Sequence, residues 1–407
     1  MNAISSAERS VLEQAAALPM LEQVLAWSQV NSGSRNLTGL AVMAAHLADA
    51  FSNLPGDIAL VEPSPVEVVG ADGRIEPLVL GRHLQLSVRP KAARRILLTG
   101  HMDTVFAADH PFQHCRRIDD RTLNGPGVAD MKGGIALMLA ALSAFEAWPG
   151  AAALGYDVII NSDEEIGSPS SAPLLRERSA GKIAALTYEP ALPDGTLAGG
   201  RGGSGNFSLV VTGRSAHAGR NPQDGRNALL AAADLALRLK AGERPGLSCN
   251  PAKIDGGGPN NIVPDHALLR VNFRPLTTTD QATALALIDR SVVGVMRDHD
   301  VAIHVHGGFG RPPKPMDAKA QRLFALVQRC GADLGLPIAW RDTGGVCDGN
   351  NIAACGVPVV DTMGARGGDI HSAGEFLLTD SLPERAQLSA LTLMRIAQGQ
   401  FDGEKAA

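Results

Sequence analysis

Three observations in these 407 residues predict an α/β fold. Short, largely apolar strand-like runs alternate with helical stretches. Three of those runs end in acidic or imidazole side chains. A later block of strands alternates apolar with polar residues, the mark of a sheet with one wet face. The two kinds of strand are separated by a glycine-rich stretch, GGRGGSG at residues 199–205, read as a hinge. The length favours two domains, and 45% apolar against 19% charged residues describes an ordinary globular chain.

Taken in order, Ser10-x-x-Glu13 has capping-box spacing, and Pro19 divides the start into two short helices. A third helix over 38–50 sets Leu40, Met43 and Leu47 on one face, with His46 as a surface residue. Strands are predicted at 66–69, 78–80 and 84–88. The run 96–99 is wholly apolar until its end, which suits a strand buried on both faces, and it delivers His101 just past its carboxyl end. A helix over 133–148 follows Asp130. The strand 156–161 empties into Glu164 and Glu165, and the strand 183–188 into Glu189. Beyond the hinge, strands around 207–211, 267–273 and 301–305 flank helices over 228–240 and 280–297. That order suggests a small ferredoxin-like α+β sheet with helices on one face, His304 and His306 lying on its solvated edge. A helix over 317–334, a strand at 357–362 and a last helix capped by Ser381-x-x-Glu384 return to the first unit.

The net charge of −5 offers no basic footprint for nucleic acid. No secretory leader or membrane-spanning run is read, so a cytoplasmic location without membrane partners is expected. Five scattered cysteines without a C-x-x-C pair read as small buried hydrophobes, not as a disulfide framework.

The candidate chemistry lies at the strand ends. His101, Asp130, Glu165, Glu189 and the late His371 form a ligand set of imidazoles and carboxylates without thiolate. That set suits zinc, with cobalt or manganese as substitutes. Five ligands with one shared carboxylate would serve two Zn²⁺ ions roughly 3.5–4 Å apart. Glu164 is then spare, placed to act as general base on a water activated by both metals. Asp103, in H-x-D, would orient His101 through its second ring nitrogen. Asp130 could instead merely cap the following helix.

These residues carry a specific resemblance. HMDTV at His101, GPGVADMKGG around Asp130, SDEEIGS at Ser162, YEP at Tyr188, GRSAHAGRNPQDGRNA at Gly213 and GGDIHS before the chain's last ligand resemble the M20 metallopeptidase family over residues 97–376. The closest likeness is to its glutamate carboxypeptidase branch, through Gly310-Arg311-Pro312 and Gly344-Gly345-Val346-Cys347-Asp348. The acetylornithine deacetylases and succinyl-diaminopimelate desuccinylases are also similar. Cys347 departs from the Ser or Thr usual before that Asp, which bears on substrate preference.

The resemblance implies a zinc-peptidase-like catalytic domain, a mixed sheet flanked by helices, over 1–203 and 313–407, with an inserted lid and dimerisation domain over 204–312. It implies that Asp130 bridges two metals, with His101 and Glu189 on one and Glu165 and His371 on the other, and that the Asp130–Met131 peptide is cis. His217 would reach a partner subunit's site to stabilise the oxyanion, so a homodimer is expected. Asn261, Arg274 and Arg311 would hold the substrate carboxylate. The expected activity is hydrolysis of an amide bond next to a free carboxylate, in a small molecule or peptide. Alternatives are an N-acyl amino acid deacylase or dipeptidase with the same centre, or a non-catalytic dimeric binding protein.

Overall fold

The computed structural model describes residues 4–402; the outermost ends of the first predicted domain, 1–3 and 403–407, lie outside the described residues. Six strands form a mixed central sheet in the order Asp57–Val61, His83–Val88, Gly155–Asn161, Arg95–His101, Ala184–Thr187, Val359–Val360. The first two pairings are antiparallel and the remaining three parallel. Four neighbouring strands therefore present their carboxyl ends at one edge.

Both faces of this sheet are covered, which is why its central strands carry the apolar runs 96–98, 158–160 and 184–186. Ile96, Leu98, Val158, Ile160, Ala184 and Leu186 face a core built with the helices Gly133–Glu146 and Ser381–Ala397. Leu97, Ile159 and Ala185 face the other side, against Leu174 and Leu175 of Ala172–Ser179 and Ile352 of Asp348–Ala353. The stretch Val128–Glu146 is long and apolar enough to cross a membrane, yet 94% of it is buried inside the molecule, where it is the central core helix.

A second sheet is wholly antiparallel, in the order Leu247–Gly256, His266–Pro275, Ser204–Thr212, Ala302–Arg311. The helices Ala228–Ala241 and Thr278–His299 cover one face. Phe207, Leu209, Val211, Leu235, Leu269, Phe273 and Ile288 belong to a core separate from that of the central sheet. The element order is strand, helix, strand, strand, helix, strand. Its third member, Leu247–Gly256, is mostly exposed and carries Pro251 at a register shift, so its apolar alternation is hard to see in sequence.

Several local expectations are corrected. The capping box is Ser5 with Glu8, and Ser10 lies inside the first helix. Ser381 is the first helical residue and not a cap; its hydroxyl donates to the Leu378 carbonyl and accepts from the Arg366 amide. A strand at Asp57–Val61 and the helix Asp348–Ala353 had no visible signal, one being edge-exposed and the other six residues long. The 357–362 strand shrinks to Val359–Val360.

The glycine hinge is ordered. Leu197–Arg201 pairs as a strand with Trp340–Thr343. A Cβ on Gly199 would lie 2.4 Å from the Trp340 ring, so close approach, not flexibility, requires glycine there. The Asp130–Met131 peptide is cis, as the resemblance implies. All five cysteines are free, but Cys355 is exposed and not a buried hydrophobe.

Candidate metal centre

Strand register assembles the centre. Thr99 pairs with Thr187 in adjacent parallel strands, their hydroxyls 2.9 Å apart, so His101 and Glu189, each two residues on, arrive side by side. On the other flank His101 pairs with Asn161, and a short helical turn after that strand carries Glu164 and Glu165. Asp130 comes from the loop before the core helix. His371 lies between Gly367–Gly368 and Phe376–Leu378, which pair with each other, and Phe376 pairs with Asn124 next to the Asp130 loop.

Asp130 divides its two oxygens. Oδ1 lies 3.0 Å from His101 Nε2, and Oδ2 lies 3.3 Å from His371 Nε2. Glu189 is 3.8 Å from His101 Nε2, and Glu165 is 3.1 Å from His371 Nε2. Two groups result, each of one imidazole and one glutamate, with Asp130 between them. Donor atoms of His101, Asp130 and Glu165, and likewise of His101, Glu164 and Glu189, lie within 4.8 Å of one another. His371 is the exposed member and has φ 63°, a left-handed conformation uncommon outside glycine and suggestive of functional constraint. Asp130 makes no cap to the core helix, whose N-cap residue is Lys132.

The electrostatics call for cations. Burial and then the neighbouring Asp130 push Glu165 up to about 7. Burial also raises Glu189, and it raises Glu164 strongly against the opposing pull of Arg311. Burial alone would raise Asp130 too, but the two imidazoles overcome it and hold the carboxyl below its ordinary range. Hydrogen bonds to Asp130 and Glu165 lift His371 to about 10. Four carboxylates crowded around two imidazoles hold more negative charge than their surroundings balance, and divalent cations are the usual remedy. The residues present therefore fit a metal centre.

Asp103 plays a fuller part than expected. His101 Nδ1 lies 3.0 Å from the Asp103 backbone carbonyl and 3.4 Å from its carboxylate, so the carbonyl is the main orienting acceptor. That bond puts a proton on Nδ1, so that Nε2, beside Asp130, is the nitrogen that would meet a metal. The Asp103 carboxylate accepts the backbone N–H groups of Glu164 and Glu165 and the Ser34 hydroxyl.

Glu375 escaped sequence reading. It is 1% exposed, and its carboxylate accepts the backbone N–H groups of Gly127, Ala129 and Asp130, fixing the loop that presents Asp130. Burial, reinforced by Asp130, pushes it up to about 7. The signal available was an acidic residue four positions after His371, which is weak by itself.

The remaining candidates separate. Arg274 lines a cleft of about 910 Å³ together with Asp130, Glu164, Glu165, Glu189 and His371. Arg311 lines it too, but differs from expectation. Its terminal nitrogens are taken by Asp348 at 2.5 Å, Asn351 at 2.6 Å, Glu164 at 2.6 Å and Ser168 at 2.9 Å, so it orients Glu164 instead of offering a free guanidinium. His217 and Asn261 do not line this cleft. They sit together on the second sheet's loops, where the Ala218 amide donates to the Asn261 carbonyl.

With this geometry in place, the comparison with known families is decisive: residues 97–395 match peptidase family M20/M25/M40. The chain belongs to that family. This M20 hydrolase is 28% identical over 403 residues to carboxypeptidase G2 of Pseudomonas sp., covering 95% of this chain and 91% of that one. It is 29% identical over 311 residues to succinyl-diaminopimelate desuccinylase of Verminephrobacter eiseniae, covering 71% and 75%. Among solved structures, a tripeptidase of Staphylococcus aureus shares the fold at TM-score 0.70 and 23% identity, covering 93% of the M20 hydrolase and 97% of that chain.

Proposed function

We propose that this M20 hydrolase cleaves an amide bond next to a free carboxylate, in the manner of a glutamate carboxypeptidase, with two divalent metals, zinc or else cobalt or manganese. The carrying observation is the division of Asp130's oxygens between the His101–Glu189 and His371–Glu165 groups. Those five residues would hold the ions, which when bound supply Lewis-acid activation of water and of the scissile carbonyl.

The chain's own residues do the rest. Glu164, half-buried and raised in proton affinity, takes the proton of the attacking water and returns it to the leaving amine. Arg311 fixes where Glu164 points, and Asp103 fixes its backbone. Arg274, exposed on the cleft wall, takes the substrate carboxylate in bidentate fashion.

The reading extends to domain organisation. Residues 1–203 and 313–407 form the catalytic domain, and 204–312 an inserted lid through which two copies pair in the cytoplasm. His217 Nδ1 accepts the amides of Gly219 and Arg220, so the neutral ring carries its proton on exposed Nε2, the donor an oxyanion needs. Since His217 and Asn261 lie off this chain's cleft, they serve the partner's site. Likeness to a desuccinylase favours a second reading, an N-acyl amino acid deacylase using the same centre.

Glu164→Gln tests the mechanism. Elemental analysis should find both metals retained, while kcat falls by on the order of 10²–10⁴. Full activity in that variant would overturn the assignment.

A further inference from the structure

Outside the metal cluster, the cleft wall carries no acidic side chain but several arginines. Two of these are committed. Arg201 is bound to Asp361 at 2.7 Å, and Arg311 to Asp348 and Glu164. Arg274 spends only its Nε, on Asn272 at 2.8 Å. The Arg341 side chain is exposed and makes no hydrogen bond or ion pair among the described residues. The nearby Asp194 feels its charge only through space, one Asp194 oxygen being taken by the Thr196 amide.

The backbone under Arg341 is firmly held. It belongs to Trp340–Thr343, paired in parallel with Leu197–Arg201, Ala198 facing Arg341 in register. Trp340 lies against Gly199, and Asp342 accepts the Gly200 amide at 2.7 Å. Strand alternation then turns Arg341 and Thr343 to the opposite side, where both line the cleft. Arg274 comes from the antiparallel sheet and Arg341 from the two-stranded sheet formed with Leu197–Arg201. Two uncommitted guanidinium groups thus enter the substrate's space from two different elements.

We infer that Arg341 is a specificity-determining residue that binds a second carboxylate, so that the preferred substrates are dianionic N-acyl amino acids. This rests on the hydrolase reading above. One carboxylate is the α-carboxylate next to the scissile amide, held by Arg274; the other belongs to a dicarboxylic acyl group or to a dicarboxylic amino acid. A guanidinium presents paired N–H donors matched to a carboxylate, whereas the corresponding amide cannot accept both in the charged mode.

The experiment uses the zinc-reconstituted full chain and two matched pairs. N-acetyl-glutamate against N-acetyl-glutamine probes the amino acid side, and N-succinyl-alanine against N-succinamyl-alanine the acyl side. Calorimetric titration of glutarate against glutaramate runs in parallel. In the wild-type enzyme, one dianionic substrate should exceed its amide partner in kcat/KM by about tenfold or more, carried by KM. Arg341→Gln should collapse that ratio, and Arg341→Lys should restore part of it. Equal use of both members of each pair by the wild-type enzyme, or a ratio that survives in Arg341→Gln, overturns the inference. Should no substrate be hydrolysed, the hydrolase reading fails separately and the titration decides: a preference for glutarate that Arg341→Gln abolishes upholds the second subsite, and no preference overturns it.

Discussion

The two sheets carry their candidate residues in opposite ways. In the central sheet, parallel neighbours bring His101, Glu164, Glu165 and Glu189 to one edge, and each position follows from strand register. In the antiparallel sheet, adjacent strands run in opposite directions, so loop residues are shared between two ends. Arg274 reaches the cleft from there, but His217 and Asn261 do not. A parallel edge concentrates candidate ligands at one place, while the antiparallel sheet leaves His217 exposed and away from this cleft.

Breaking the central edge should have the largest effect. His101→Ala removes the imidazole shared by the His101–Asp130–Glu165 and His101–Glu164–Glu189 clusters; elemental analysis should show metal lost and a hydrolysis assay should show no measurable turnover. Next comes His217→Ala, expected to keep its metals and lose about 10²–10³ in kcat, the usual cost of one oxyanion donor. Mixing His217→Ala with Glu164→Gln sharpens the contrast. If His217 serves the partner's site, mixed dimers regain activity that neither variant has alone; unchanged activity on mixing would place His217 outside the partner's chemistry. The smallest effect is expected from Glu375→Gln, which keeps the shape but weakens the acceptor of three loop amides. Metal affinity should fall about 10–100-fold, read by competition with a chelator.

Much of this was legible because burial writes itself into composition. Residues 96–98 and 158–160 are unbroken apolar runs since each strand is covered on both faces, and polar groups reappear at the strand ends. The exposed strand Leu247–Gly256 left no such trace. Arg311 illustrates another limit: its residue type suited a substrate carboxylate, yet Asp348, distant in sequence, claims it. Glu375 shows a third, since its role depends on three backbone amides about 245 residues away, and backbone donors have no sequence signature.

By itself, then, the sequence determined the α/β class, the order of most elements and the chemical identity of the candidate metal donors, because periodicity and residue type are local properties. Only the tertiary structure decided which oxygen of Asp130 faces which histidine, that the Asp103 carbonyl sets the His101 tautomer, and that Arg341 stands uncommitted in the cleft. Those are matters of strand register and of which partner reaches a side chain first, and both are set by contacts between residues far apart in the chain.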